Sequence, residues 1–100
     1  MRMIEVMLQD EDGKALSEEV CVETNLVSQV NDARFTCLRF VDPYGDTVFN
    51  RLQMTALLED LRALRQNPDN SQHEGVLGEI ETLVRRGQAT VHTYIKFIGD

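Results

Sequence analysis

The sequence has no Trp, two Pro and two Cys, and its apolar runs are only a few residues long. Such runs are too short to span a membrane. The composition, 42% apolar and 27% charged over 100 residues, is typical of one folded domain, residues 1–100, rather than a disordered chain. An acid at Glu5 interrupts the stretch where an export signal needs apolar residues, so we expect a cytoplasmic protein.

Potential metal ligands other than carboxylates are scarce. Cys21 and Cys37 show no Cys-x-x-Cys spacing, and His73 and His92 lie far from both in sequence. We therefore expect no metal and no cofactor. Buried free thiols and a disulfide across neighbouring strands both remain open for the two cysteines.

Basic residues are few, and the formal charge is −7. Residues 1–50 hold ten acids against four bases, so the acidic excess lies in the first half. Because nucleic-acid affinity depends on clustered Lys and Arg, the sequence argues against a nucleic-acid partner. A basic protein partner is compatible with this field, as is an acidity that serves only to keep the protein in solution.

The first half predicts strands. Alternating apolar residues favour a strand over residues 2–9. A turn is expected at 10–13, in which Gly13 has a positive φ. Residues 20–24 favour a second strand, with a helix from Ser17 as the alternative. Residues 25–33 are expected to be loop. Residues 35–41 then predict a strand that forms a hairpin with 47–49 through a type I turn at 42–45, with Gly45 left-handed.

The second half predicts two helices and a closing strand. Apolar spacing places one helix from about Met54 to Asn67, started either by an Asn50–Gln53 capping box or by Thr55. A second helix is predicted from a capping box at Ser71 to a stop at Gly87, with Gly75 and Gly78 allowing close backbone approach. Residues 90–98 predict the last strand. The expected fold class is α+β, a mainly antiparallel sheet of four to five strands with two consecutive helices on one face, in the order β-β-β-β-α-α-β.

Seven residues form the candidate binding surface predicted from this arrangement. The turn would display acids around a tyrosine, and the last strand would display an alternating polar row, joined by an arginine of the hairpin strand: Asp42, Tyr44 and Asp46; His92, Tyr94 and Lys96; and Arg39. Two structural roles compete with this hypothesis. An Asp that begins a turn caps its own backbone, and a polar row is the ordinary outer face of an antiparallel sheet.

No phosphate-binding loop, nucleophile elbow, zinc-protease motif or dinucleotide fingerprint occurs, and no motif is specific enough to name a family. We therefore expect no catalytic residues and no enzymatic activity. The first hypothesis is a protein-interaction module, with an immunity or inhibitor protein that neutralises a basic effector as one version. The alternative is a small-molecule or metal-binding domain, or weak enzyme, using His92, Tyr94 and Lys96 with Asp42 or Asp46. A homo-oligomer also remains open, through whichever strand lies at a sheet edge.

Overall fold

A computed structural model describes residues 2–100. It contains four strands, β1 (Met3–Asp10), β2 (Val20–Glu23), β3 (Asp46–Phe49) and β4 (Thr93–Ile98). Three α-helices accompany them, α1 (Thr24–Val27), α2 (Met54–Gln66) and α3 (Glu74–Gln88), and short 3₁₀ turns occur at Leu38–Phe40, Arg51–Gln53 and Pro68–His73. The α+β class is confirmed. All strand pairs are antiparallel, and the sheet order is β2-β1-β4-β3.

Helices α2 and α3 pack against each other, and α3 packs on β1, β2 and β4. The alternation of β1 explains this, because Ile4, Val6 and Leu8 are buried while Met3, Glu5 and Met7 lie on the other side of the sheet. Between the helices, the buried carboxylate of Glu81 accepts a hydrogen bond from Nε of Arg65 at 2.6 Å. The two helices thus cover one face of the sheet and leave its other face uncovered.

The predicted strand over residues 35–41 is wrong, and so is the hairpin built on it. The segment is irregular with a 3₁₀ turn, and β3 pairs with β4 instead. The cause is Asp60 of α2, whose carboxylate accepts the backbone N–H groups of Thr36, Cys37 and Leu38 at 3.2, 2.7 and 3.0 Å. A side chain from a later helix therefore takes the donors that a sheet ladder would have used.

The observed helix starts agree with one of the two predicted capping boxes. The Asn50–Gln53 capping box is confirmed by reciprocal bonds of 2.9 and 3.1 Å, and it starts the turn that leads into α2. The capping box at Ser71 is wrong, because residues 68–73 form a 3₁₀ segment and α3 begins at Glu74. The start of residues 25–33 is helical as α1 rather than loop.

Glycine roles differ from the predictions at several positions. Gly13 has a φ of +83°, as predicted, and among residues 2–100 it is the glycine with a positive φ, so Gly45 is not left-handed. Gly87 does not end α3, which continues to Gln88. A Cβ at Gly87 would lie 2.7 Å from the Met54 side chain, whereas Gly75 and Gly78 have no atom within 4 Å of that position. Within α3, the close approach is therefore at Gly87, and it is to side chains rather than to a neighbouring backbone.

Candidate functional site

The structure brings together only part of the seven residues predicted as a binding surface. Tyr94 and Lys96 lie on the uncovered face, and Lys96 Nζ is 3.4 Å from Asp46 Oδ2. His92 precedes β4 in an exposed position with a φ of 58°, and its Nδ1 is 3.6 Å from Glu11 Oε2. Since Thr93 pairs with Asp10 and Ile98 with Asp46, the two ends of β4 are about 17 Å apart at 3.3 Å per residue. His92 and Asp46 therefore do not share a site.

The turn residues are held by structural contacts. Asp42 Oδ1 accepts the backbone N–H of Tyr44 at 2.8 Å, which is the capping role that competed with a binding role. The guanidinium of Arg2 lies 4.0 Å from the centre of the Tyr44 ring, and Arg2 also donates to the carbonyl oxygens of Pro43 and Asp100. Arg39 stacks on Phe40 outside the sheet, since the strand that was to carry it is not formed. Within residues 2–100, no group of three or more His, Cys, Asp or Glu side chains could hold a metal ion.

A different set of residues converges around β2. On the uncovered face, a groove of about 370 Å³ is lined by Met3, Glu5, Cys21, Ile98 and Asp100, among others. On the helix side, a groove of about 560 Å³ has Val20 and Leu83 as its apolar part and is bordered by the acids Glu18, Glu19 and Glu79. We call β2 and these five carboxylates the acidic edge: Glu5, Glu18, Glu19, Glu79 and Asp100.

Like charges are brought together at the acidic edge. The carboxyl of Glu19 raises the pKa of Glu5 above its ordinary 4.5, first by a hydrogen bond that requires a shared proton and then by repulsion, and Asp100 adds to that repulsion. None of the salt bridges formed by residues 2–100 involves Glu5, Glu18, Glu19 or Glu79. The base in the helix-side groove, Arg86, donates to the carbonyl oxygen of Leu16 at 3.2 Å.

Sequence reasoning found only part of this site. The acidic excess of residues 1–50 was the available signal, and it contains Glu5, Glu18 and Glu19. Glu79 comes from α3 and Asp100 follows β4, so their convergence on β2 depends on strand order and helix packing. The edge strands, which the sequence left open, are β2 and β3, while the first and last strands, β1 and β4, are central.

Comparisons with models of protein families, with curated proteins and with solved structures found no match to this chain. Across residues 2–100, no helix combines the length and the apolar character that are needed to cross a membrane. Both cysteines are free thiols, Cys21 exposed in the acidic edge and Cys37 buried beside Asp60. The geometry of the acidic edge is therefore the basis for a functional proposal.

Proposed function

We propose that this protein is a non-enzymatic interaction module that binds a basic segment of another protein along the acidic edge. The observation that carries the proposal is the arrangement of carboxylates in the two grooves of the acidic edge, with Glu5 and Asp100 in one and Glu18, Glu19 and Glu79 in the other. The raised pKa of Glu5 beside Glu19 agrees with this crowding. Like charges held together destabilise the protein in isolation, and a Lys or Arg of a partner placed between them would relieve that repulsion.

The two grooves support the same occupant. Met3 and Ile98 in one groove, and Val20 and Leu83 in the other, offer apolar surface beside the carboxylates. Lys and Arg side chains combine an apolar stem with a charged end, so they match a groove of this mixed character. The net charge of −7 would also steer a basic partner towards the protein.

An immunity or inhibitor protein that neutralises a basic effector is the specific version of this function that we favour. Its site would cover a cationic surface of the effector, and the acidic edge supplies the complementary charge. We place this function in the cytoplasm, where an exposed free thiol such as Cys21 would stay reduced.

Charge reversal with a matched control tests the proposal. The test variant carries Glu18→Lys, Glu19→Lys and Glu79→Lys, and the control carries the same charge change at exposed sites elsewhere, Glu11→Lys, Glu59→Lys and Asp69→Lys. The probe is a fluorescent peptide of alternating Lys and Leu, with anisotropy measured between 20 and 500 mM NaCl, roughly the range over which surface charges become screened.

We expect the wild-type protein to bind the peptide and to lose affinity as salt rises. The test variant should bind at least about tenfold more weakly at low salt, and the control should remain within about threefold of the wild type. Equal losses in both variants would show that only the net charge matters, and salt-independent binding would also overturn the proposal. Circular dichroism and thermal melting check that both variants are folded.

A further inference from the structure

Strand β3 forms the other edge of the sheet, and half of its backbone groups point away from β4. The Gly99 N–H donates to the Gly45 carbonyl oxygen at 2.8 Å, which continues the register in which Asp46 faces Ile98. Because antiparallel pairs alternate, Thr47 and Phe49 exchange hydrogen bonds with β4, and the backbone groups of Asp46 and Val48 point outward. Among residues 2–100, no bond from outside the sheet reaches those outward groups.

The neighbouring segment leaves these groups free. The Asp42 N–H donates to the Thr47 hydroxyl at 2.9 Å rather than to the backbone of β3. Thr47 shares its face with the buried Phe49, so this contact lies on the helix side of the strand. The outward groups of Asp46 and Val48 therefore remain available to another strand.

The edge of β3 carries exposed apolar side chains, and the acid of the strand is paired. Val48 is 46% exposed, Phe40 beside the strand is 60% exposed and Leu52 just after it is 91% exposed. The single acid of the strand, Asp46, is paired with Lys96 at 3.4 Å. The β2 edge, in contrast, is flanked by Glu18, Glu19 and Glu23, and such charges discourage edge-to-edge pairing.

We propose that the β3 edge binds the β3 edge of a second copy, which joins two sheets into one antiparallel sheet of eight strands. A register centred on Thr47 pairs Asp46 of each chain with Val48 of the other, so the outward backbone groups satisfy each other and the two Asp46 carboxylates do not face directly. This pairing is isologous, as a two-fold dimer requires.

Charge selects a second copy over a foreign partner at this edge. Two molecules that each carry −7 repel wherever their acids meet, and at the β3 edge the acid of the strand itself, Asp46, is paired with Lys96. A basic partner would instead be attracted to the acidic edge. Because β3 has four residues, the interface lies at the small end of the range for specific complexes, and we expect a dissociation constant on the order of 10–100 µM.

Sedimentation velocity from about 5 to 500 µM, in 300 mM NaCl to reduce repulsion, tests for the dimer. We expect the wild type to shift from monomer to dimer over this range and Val48→Lys to remain monomeric. Cys21→Lys is the matched control, since it places the same charge on an exposed site of the other edge, and it should dimerise like the wild type. A wild type that is monomeric throughout, or a dimer lost in Cys21→Lys but kept in Val48→Lys, overturns the proposal.

Disulfide trapping tests the register in a background with Cys21→Ser. Residues that exchange hydrogen bonds across antiparallel strands have Cα atoms about 5.5 Å apart, which suits a disulfide. Mixing the Asp46→Cys chain with the Val48→Cys chain should therefore give at least about fivefold more cross-linked dimer than either chain alone. Equal cross-linking in the mixture and in the single variants contradicts the proposed register.

Discussion

The two edges of the sheet differ in charge and in the way each is held. The β2 edge has grooves on both sides with five unpaired or mutually repelling carboxylates, whereas the single acid of β3 is neutralised by Lys96. In the segment beside β3, one buried carboxylate, that of Asp60, accepts three backbone N–H groups. The difference teaches that the placement of acids, rather than their number, distinguishes the two edges, and both binding proposals depend on that placement.

The largest expected effect comes from removing the anchor on the β3 side. Asp60 is 5% exposed and accepts three backbone N–H groups, so Asp60→Ala would leave buried donors without partners. We expect a loss of about 3 kcal/mol in the free energy of unfolding, measured in urea.

The matched control is Glu59→Ala, which changes the preceding, exposed carboxylate of the same helix. It should alter the free energy of unfolding by less than about 0.5 kcal/mol. Equal effects from the two substitutions would show that the Asp60 contacts do not hold the segment beside β3, and the contrast between the edges would lose its structural basis.

A smaller effect is expected where the chain after β4 packs on the turn before β3. A Cβ at Gly99 would lie 2.6 Å from the Asp42 carbonyl oxygen and 2.8 Å from the Gly45 nitrogen, both backbone atoms that cannot move alone. Gly99→Ala should therefore destabilise the protein by about 1–2 kcal/mol in thermal or urea unfolding. Gly78→Ala, where a Cβ has free space, should stabilise it by up to about 1 kcal/mol, and the same sign for both would contradict the packing argument.

At the β2 edge, Glu5→Gln is expected to raise the melting temperature slightly at pH 7. The pKa of Glu5 is raised in the folded protein by Glu19 first, then by desolvation and by Asp100, so its ionised form destabilises the fold above that pKa. Below the ordinary value of 4.5 the carboxyl is protonated in both folded and unfolded states, and the gain should vanish. Melting curves between pH 3.5 and 7 check this, with Glu59→Gln as control. A gain that grows as the pH falls would contradict the assignment.

The reactivity of the two cysteine thiols tests the difference between the β2 edge and the segment that Asp60 holds. Cys21 is exposed at the β2 edge, while burial and then the Asp60 carboxylate raise the pKa of Cys37 to about 11. A thiol reagent at pH 8 should therefore modify one cysteine quickly and the second only in denaturant. In Asp60→Ala the second thiol should react faster, and two fast thiols in the wild type would refute the burial of Cys37.

Local signals predicted the fold class well. The Asn50–Gln53 capping box and the apolar stripe of α2 lie within a few residues, so the sequence displayed them directly. The segment 35–41 failed because its alternation resembles a strand, while its backbone donors bind a carboxylate more than twenty residues later. A pattern over seven residues holds no information about that distant competitor.

The candidate site was less predictable than the fold. Tyr94 and Lys96 lie on the uncovered face as expected, and Lys96 contacts Asp46, which was predicted in the turn but begins β3. His92 lies at the other end of β4 and Arg39 lies outside the sheet. The acidic excess was visible in the sequence, whereas its concentration around β2 depends on Glu79 and Asp100, which only the tertiary fold brings there.

The strand order β2-β1-β4-β3 also determines when the sheet can form during synthesis of the chain. The centre of the sheet joins Val6 to Phe97, so it can close only after the ribosome has released nearly all of these residues. Helices α2 and α3, which are neighbours in sequence, can form earlier and must wait with their apolar stripes uncovered. We therefore expect folding to be slower than in a helical bundle of this length, and nascent chains that stop before β4 to be substrates for chaperones.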